Sequence, residues 1–294
     1  MDKVRPTWRE RLQAGLRILA FVLALGASIV LINVVWDAIG LPHALQHGEV
    51  QPLPLLGLAA AVACATAIVT AISLRLLERA HLGAVGLGFS RRALPDLLKG
   101  TLLGATPVAL VMMLAVGAGY GVLAPTTPDA ATLLAATAPG LAATFLLSAS
   151  EEIVWRGYVL RQLTLATNPI FAVLVTGALF GVVHAANPDA TWQGVLFTAT
   201  GGMLMGWLMI RTGSLWLLIG YHFGWNATSS TLLGLDVSGL GSSASFFVST
   251  LTGPEWRTGG AYGFEGSLPA VGFETLVLCL AIAVARRRHD PTQA

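Results

Sequence analysis

Residues able to do acid–base chemistry stand close together in one apolar part of the chain. Glu151 and Glu152 are followed by Arg156, and the spacing of four residues between Glu152 and Arg156 pairs an acid with a base on one helix face. Glu151 then points about 100° away from that pair, with no partner on its own helix. Because an ionisable group inside a membrane span costs about 2.5–3.5 kcal/mol, this lone carboxylate is predicted to have a functional role.

Two further stretches carry imidazole and amide groups. His184 lies one helical turn after Phe180, and His222 lies one turn before Asn226, so each pair occupies one face of a predicted helix. A single histidine is more often a hydrogen-bonded packing residue, and Asn226 equally fits a hydrogen bond between helices. Taken together, a carboxylate, two imidazoles and an amide on three spans can assemble one buried polar site.

The functional groups of this predicted site are those of a hydrolase. Glu151, His184 and His222 offer the oxygen and nitrogen ligands that suit Zn²⁺, and three protein ligands leave a fourth position for water. Metal-bound water ionises near neutral pH and can attack an amide carbonyl. Without a metal, the glutamate and a histidine can act as general bases, and Asn226 can donate a hydrogen bond to the oxyanion.

The composition of the chain points to the lipid bilayer as its surroundings. Of 294 residues, 55% are hydrophobic and 11% are charged, about half the charge of a soluble domain. Disordered, nucleic-acid-binding and disulfide-scaffold proteins are excluded, since each class needs polar composition or dense cysteine. Cys64 and Cys279 are expected to be packing residues. We therefore expect an integral membrane protein that has the bilayer and no nucleic acid as a partner.

Eight apolar stretches approach the ~20 residues that a helix needs to cross a bilayer. They are 18–36, 53–74, 100–123, a fourth that starts near residue 139 and contains the two glutamates, 169–186, 192–210, 215–233 and 268–285. Pro139 is expected in a first helical turn. The prediction is an all-α, polytopic membrane bundle of about eight helices, forming one domain over residues 1–294, with the chemically active region at 139–233.

Basic residues lie almost entirely at alternate connections between these spans. Only Arg257 lies at the other connections, which predicts that both termini are cytoplasmic. The residues at alternate connections are Lys3, Arg5, Arg9, Arg11, Arg17, Arg75, Arg79, Arg91, Arg92, Lys99, Arg156, Arg161, Arg211, Arg286, Arg287 and Arg288. The long Gly- and Ser-rich connection 234–267 is expected to cap an outer opening. Glu274 is assigned no function. Arg257 is a candidate partner for its carboxylate.

The predicted depths of the polar residues agree with one exception. Counted at ~1.5 Å per residue from the cytoplasmic end, Glu151 and Glu152 lie about 15 Å deep, His222 about 11 Å and Asn226 about 17 Å. His184 comes out at about 22 Å, too deep by a helical turn. Either the fifth span begins later than residue 169, or it tilts.

The motifs Glu151-Glu152-x-x-x-Arg156, Phe180-x-x-x-His184 and His222-x-x-x-Asn226 resemble the three signature motifs of the CPBP (Abi) intramembrane metalloprotease family. That family includes type II CAAX prenyl endopeptidases and bacterial bacteriocin-processing and self-immunity proteins. The resemblance covers residues 148–226 and implies a metalloendopeptidase, acting on a membrane protein or a lipidated or hydrophobic peptide, in a bacterial inner membrane.

The resemblance also implies a role for each motif residue. Glu151 would activate water, and His184 and His222 would bind the metal, Zn²⁺, or orient the water. Asn226 would stabilise the oxyanion. Glu152 and Arg156 would support the other residues.

Two other functions fit the same polar residues. An ion- or proton-coupled transporter also uses buried carboxylates and histidines, although the chain lacks a pair of Gly- or Pro-broken spans at matching places in two halves. A non-catalytic membrane scaffold or self-immunity protein would use the polar residues only to lock helices together.

Overall fold

The structure of the protein, a computed structural model, describes residues 6–46, 49–126, 129–241 and 244–287. Helices dominate the fold, and two small antiparallel sheets lie between them, β1 (Leu45–Gln46) with β2 (Glu49–Val50) and β3 (Gly121–Pro125) with β4 (Phe247–Leu251). The helices are α1 (Trp8–Ala38), α2 (Pro52–Glu78), α3 (Ala93–Gly117), α4 (Ala130–Glu152), α5 (Leu160–Ala166), α6 (Pro169–His184), α7 (Trp192–Thr212), α8 (Leu215–Asn226), α9 (Glu255–Thr258) and α10 (Leu268–Arg287).

The predicted all-α membrane bundle is confirmed. Five helical stretches of the described chain are long and apolar enough to cross a membrane: Trp8–Ala38, Pro52–Glu78, Ala93–Gly117, Ala131–Ala166 and Trp192–Thr212. Pro169–His184 and Leu268–Cys279 are shorter apolar helices. Each of the eight predicted spans coincides with helix over most of its length. Lys3, Arg5 and Arg288 of the charge pattern lie outside the described residues.

Two predicted span boundaries are wrong. The third span ends at Gly117, and Leu123 lies in β3, where it pairs with Ser249 of β4. The fourth span begins well before Pro139, which lies inside α4. The start of α4 is set by Asp129, whose carboxylate accepts hydrogen bonds from two free backbone N–H groups of the first turn.

The fourth span is one long helical stretch with a change of helix type directly after the two glutamates. α4 continues as π-helix over Ile153–Val159 and then as α5 to Ala166. A second π-helical segment, Ala227–Leu232, follows Asn226 at the end of α8. π-helical turns inside α-helices are uncommon and are frequent at functional sites.

The continuous fourth span explains the depth of His184. Glu151 is 15 residues before the end of α5 at Ala166, and His184 is 15 residues after the start of α6 at Pro169. The two residues therefore lie at the same depth of about 22 Å from the shared turn, so no tilt is needed. The alternative of a later start for the fifth span is wrong, and the predicted depth of Glu151 was too shallow.

Helices α3 and α8 pack with their backbones in close approach. Gly100 and Gly104 of α3 face Gly220 and Gly224 of α8, and each pair has the four-residue spacing of small-residue helix interfaces. A β-carbon at any of the four would overlap a backbone carbonyl of the opposite helix. This contact fixes the position of α8, which carries two of the predicted site residues.

We expect Gly224→Ala to lower the free energy of unfolding by about 1–3 kcal/mol, because the added methyl group overlaps the carbonyl oxygen of Thr101. Thermal unfolding in detergent measures the effect. Gly26→Ala on α1 is the matched control, since nothing lies within 4 Å of its added carbon. Equal melting temperatures for the two variants would contradict the close approach.

Candidate active site

Glu152 is the centre of a buried charged network. Its side chain is fully buried, and its Oε1 atom accepts hydrogen bonds from Arg156 Nη1 at 2.8 Å and from His222 Nδ1 at 2.9 Å. The predicted pair of Glu152 with Arg156 is therefore present, and it also connects α4 with α8. Hydrogen bonds to an ionised acceptor are stronger than neutral ones, so this network holds the His222 ring in one orientation.

Phe180 packs against Arg156 of the charged network and against both histidines. The guanidinium carbon of Arg156 lies 4.2 Å from the centroid of the Phe180 ring, a cation–π contact. The rings of His184 and His222 have their centroids 4.5 Å and 6.3 Å from that of Phe180. Gly202 on α7 leaves room for the guanidinium, since a β-carbon there would lie 3.3 Å from Arg156 Nη2.

The two histidines use the same ring atom to anchor themselves. His184 Nδ1 lies 2.8 Å from the backbone carbonyl oxygen of Phe180. Because a carbonyl oxygen only accepts, Nδ1 of His184 carries the proton and Nε2 keeps its lone pair. His222 likewise directs Nδ1 to the carboxylate of Glu152. In both rings Nε2 is the atom left for water or a metal.

Glu151 has surroundings very different from those of its neighbour. Its side chain is 38% exposed, whereas that of Glu152 is fully buried. Its Oε2 atom lies 4.0 Å from Nε2 of His184 and has no hydrogen-bond partner among the described residues. Of the two adjacent carboxylates, one is therefore held in a charged network and the other is a partly exposed group of the cavity wall next to an imidazole.

The structure brings all six predicted residues into one region and divides them into two groups. Glu151, His184, His222 and Asn226 line a cavity of about 290 Å³. Glu152 and Arg156 are buried and are not among the residues that line this cavity. The 234–267 connection, predicted to be a cap, supplies part of the wall through Val237, Ser238, Leu240, Gly241, Ala244 and Glu265.

Two carboxylates in the cavity wall had no role in the sequence prediction. Glu274 accepts one hydrogen bond from the hydroxyl of Tyr221, shared between its two carboxylate oxygens at 3.3 Å each, and the candidate pairing with Arg257 is wrong. The guanidinium of Arg257 donates instead to the carbonyl oxygen of a nearby loop residue. The sequence does show that Glu274 is a charged residue inside a predicted span, which is a reason to expect a role for it. The partner of Glu274 could not be predicted, because it depends on how α8 and α10 pack.

The second carboxylate, Glu265, belongs to the outer connection. It accepts hydrogen bonds from Trp225 Nε1 at 2.8 Å and Ser238 Oγ at 2.6 Å. Nothing in the local sequence distinguishes this glutamate from a solvated loop residue, since its burial results from the folding of the connection over the cavity.

The donor groups of the site match the chemistry of zinc ligands. Glu151 offers a carboxylate, and His184 and His222 each offer Nε2 while Nδ1 is held by a carbonyl or carboxylate, the usual arrangement of zinc-bound histidine. Within the described part of the chain, however, no three His, Cys, Asp or Glu side chains are grouped closely enough to hold a metal ion. The predicted Zn²⁺ therefore stays a proposal.

Comparison with known proteins gives two matches around this site. Residues 132–228, about a third of the chain, match the family described as type II CAAX prenyl endopeptidase Rce1-like. The uncharacterized protein YyaK of Bacillus subtilis (strain 168) is 34% identical over 115 residues, which cover 37% of this chain and 38% of YyaK. The chain thus matches well under half of that relative's length. Over residues 132–228, the segment that carries all three motifs, the predicted resemblance to the type II CAAX prenyl endopeptidase group is confirmed.

Proposed function

We propose that the protein is an intramembrane endopeptidase that hydrolyses a peptide bond of a membrane-associated protein or peptide. The observation that carries this proposal is the pairing of Glu151 Oε2 with His184 Nε2 at 4.0 Å, on the wall of a cavity that His222 and Asn226 also line. Two acceptors about 4 Å apart are close enough to bond to one shared water molecule, which supports a general-base role for this pair.

In the proposed mechanism Glu151 takes a proton from this water while the water oxygen bonds to the carbonyl carbon of the substrate. The carbonyl oxygen becomes an oxyanion, to which the Asn226 amide donates a hydrogen bond. Glu151 then passes the proton to the leaving nitrogen as the C–N bond breaks. A positioned general base contributes about 10²- to 10⁴-fold in rate, and one oxyanion donor about 10²- to 10³-fold.

Glu152 and Arg156 act as positioning residues in this proposal. Their hydrogen-bonded pair holds the Nδ1 side of His222, so that Nε2 of the ring is presented to the cavity. The positive charge of Arg156 also offsets the negative charge of Glu152. Glu151 is then the one carboxylate of this adjacent pair left free to exchange a proton.

Zn²⁺ remains part of the proposal as a cofactor. If zinc is bound, Glu151, His184 and His222 would hold it, and the metal, in place of Glu151 as a free base, would activate water by lowering its pKa to about 7. We expect purified protein to contain zinc and His184→Ala to lose most of it, measured by elemental analysis. His81→Ala is the matched control, because His81 is exposed, lies in the connection after α2 and is not among the residues that line the cavity. Equal zinc contents in both variants would contradict binding at this site.

The membrane-spanning helices and the family name support a proposal for the substrate class. We propose a membrane-tethered or lipidated peptide, and the word prenyl in that name makes a prenylated peptide the first to test. We also propose a bacterial inner membrane with both chain termini cytoplasmic. The alternating basic connections support this orientation.

The deciding experiment reconstitutes the full chain in liposomes with tethered peptides, prenylated and unprenylated. Mass spectrometry of the products should show a new peptide N-terminus. Absence of cleavage, combined with ion flux that depends on Glu151, would favour the transporter alternative. Absence of both would favour the scaffold.

A further inference from the structure

We infer that a second, larger groove of the protein binds the headgroup of an anionic phospholipid. The groove has a volume of about 1080 Å³ and lies between the first turns of α1 and the turn that joins α5 to α6. It shares no lining residue with the candidate active-site cavity. The inference therefore does not depend on the proposed peptidase activity.

The charge of the groove suits a phosphate group. Arg11 and Arg17 lie in its wall, and neither forms a salt bridge with a carboxylate in the described residues. The one acid in the wall, Glu10, is already bonded to the backbone N–H of Thr7 at 2.7 Å and to its hydroxyl at 2.9 Å. Among the described residues, two guanidinium groups without a carboxylate partner are thus left for an anion.

A buried amide in the same wall lacks a partner. Gln162 is fully buried, and its Nε2 donates to Glu78 Oε1 at 2.7 Å. Its Oε1 has no hydrogen-bond partner among the described residues. A buried acceptor normally has a donor, so the ligand of this groove should carry a hydroxyl as well as a phosphate. Phosphatidylglycerol has both groups in its headgroup.

The start of α6 adds to the attraction for an anion. Asn168 and Pro169, its N-cap and first residue, lie in the groove wall, and the helix that follows is 16 residues long. Pro169 has no N–H, and the N–H of Phe171 already donates to Asn168 Oδ1, so the attraction for an anion here comes chiefly from the helix dipole. The arginines, the amide and the helix end thus converge on one groove.

The rim of the groove is apolar, which favours a lipid over a soluble phosphate. Leu165 and Phe171 lie in the wall and are 51% and 48% exposed. Leu12 and Leu16 of α1 and Ile170 of α6, each near a groove residue in the sequence, are 53%, 55% and 65% exposed. These side chains continue the apolar outer surface of the spans, where they would contact the acyl chains of a lipid whose headgroup fills the groove.

The test measures binding of phosphatidylglycerol to the purified full chain in neutral detergent by native mass spectrometry. Arg11→Gln and Arg17→Gln should each weaken binding about fivefold. Arg9→Gln is the matched control, because Arg9 is on the same helix but lies over the ring of Trp8, 5.6 Å from its centroid, outside the groove wall. Equal losses in the three variants would overturn the proposal.

Two further measurements are needed. The first distinguishes a lipid phosphate from a soluble phosphate, and the second tests the role of the Gln162 amide. Competition by glycerol 3-phosphate at the same concentration as the lipid would show a soluble-anion site and overturn the lipid assignment. Gln162→Met should weaken binding of phosphatidylglycerol about three- to tenfold, through one lost hydrogen bond. The same variant should leave binding of phosphatidic acid, which lacks the headgroup hydroxyls, unchanged. Equal losses for the two lipids would contradict the role of Gln162.

Discussion

Glu151→Gln is expected to reduce cleavage of a membrane-tethered peptide by about 10²- to 10⁴-fold. The amide of glutamine cannot take a proton from water at neutral pH, although it keeps the size and polarity of the side chain. Initial rates of peptide cleavage in liposomes measure the effect. Full activity in this variant would remove Glu151 from the proposed mechanism.

The same substitution should leave the fold almost unchanged. The side chain of Glu151 is 38% exposed and makes no hydrogen bond through Oε2 in the described residues, so the free energy of unfolding should change by no more than about 0.5 kcal/mol. Glu255→Gln, at an exposed position in α9, is the matched control and should keep full activity. A marked fall in the melting temperature of Glu151→Gln alone would favour the scaffold alternative.

Arg156→Met is expected to have the largest effect on stability, a loss of about 3–5 kcal/mol. The substitution leaves the fully buried carboxylate of Glu152 with His222 alone as its hydrogen-bond partner in the described structure. An uncompensated charge in a buried site is the physical cause. Thermal or denaturant unfolding in detergent provides the measurement.

A double variant separates the charge effect from lost packing. Glu152→Gln combined with Arg156→Met removes both charges, so no buried ion is left without its counterpart, and part of the stability should return. Peptide cleavage should stay low in the double variant, because the carboxylate that orients His222 is gone. A double variant as unstable as Arg156→Met alone would show that packing, and not charge, decides stability here.

Much of the architecture could be predicted because it rests on local features of the sequence. Long uncharged stretches predict helices in a bilayer whatever surrounds them, and the structure has helix at all eight. The spacing of Glu152 and Arg156 fixes their contact through helix geometry alone, which is why this pair was predicted correctly. The same geometry separates Glu151 from the pair.

Two of the errors arose where distant parts of the chain meet. Leu123 is apolar like its neighbours in α3, but pairing with a strand from the outer connection takes it out of the helix. The depth of Glu151 was underestimated because Arg156 and Arg161 suggested that the span ended there. In the structure Glu152 and Glu78 neutralise these arginines, so the helix continues to Ala166.

The sequence by itself determined that this is a helical membrane protein with a carboxylate, two imidazoles and an amide within its spans. Composition and helical spacing are properties of each segment alone. Only the tertiary structure decided that His222 binds Glu152, that His184 faces Glu151 and that Glu274 meets Tyr221. The distances between these side chains depend on how far each helix is shifted along its axis and rotated relative to its neighbours. The close packing of α3 with α8 and the π-helical continuation of α4 contribute to that arrangement.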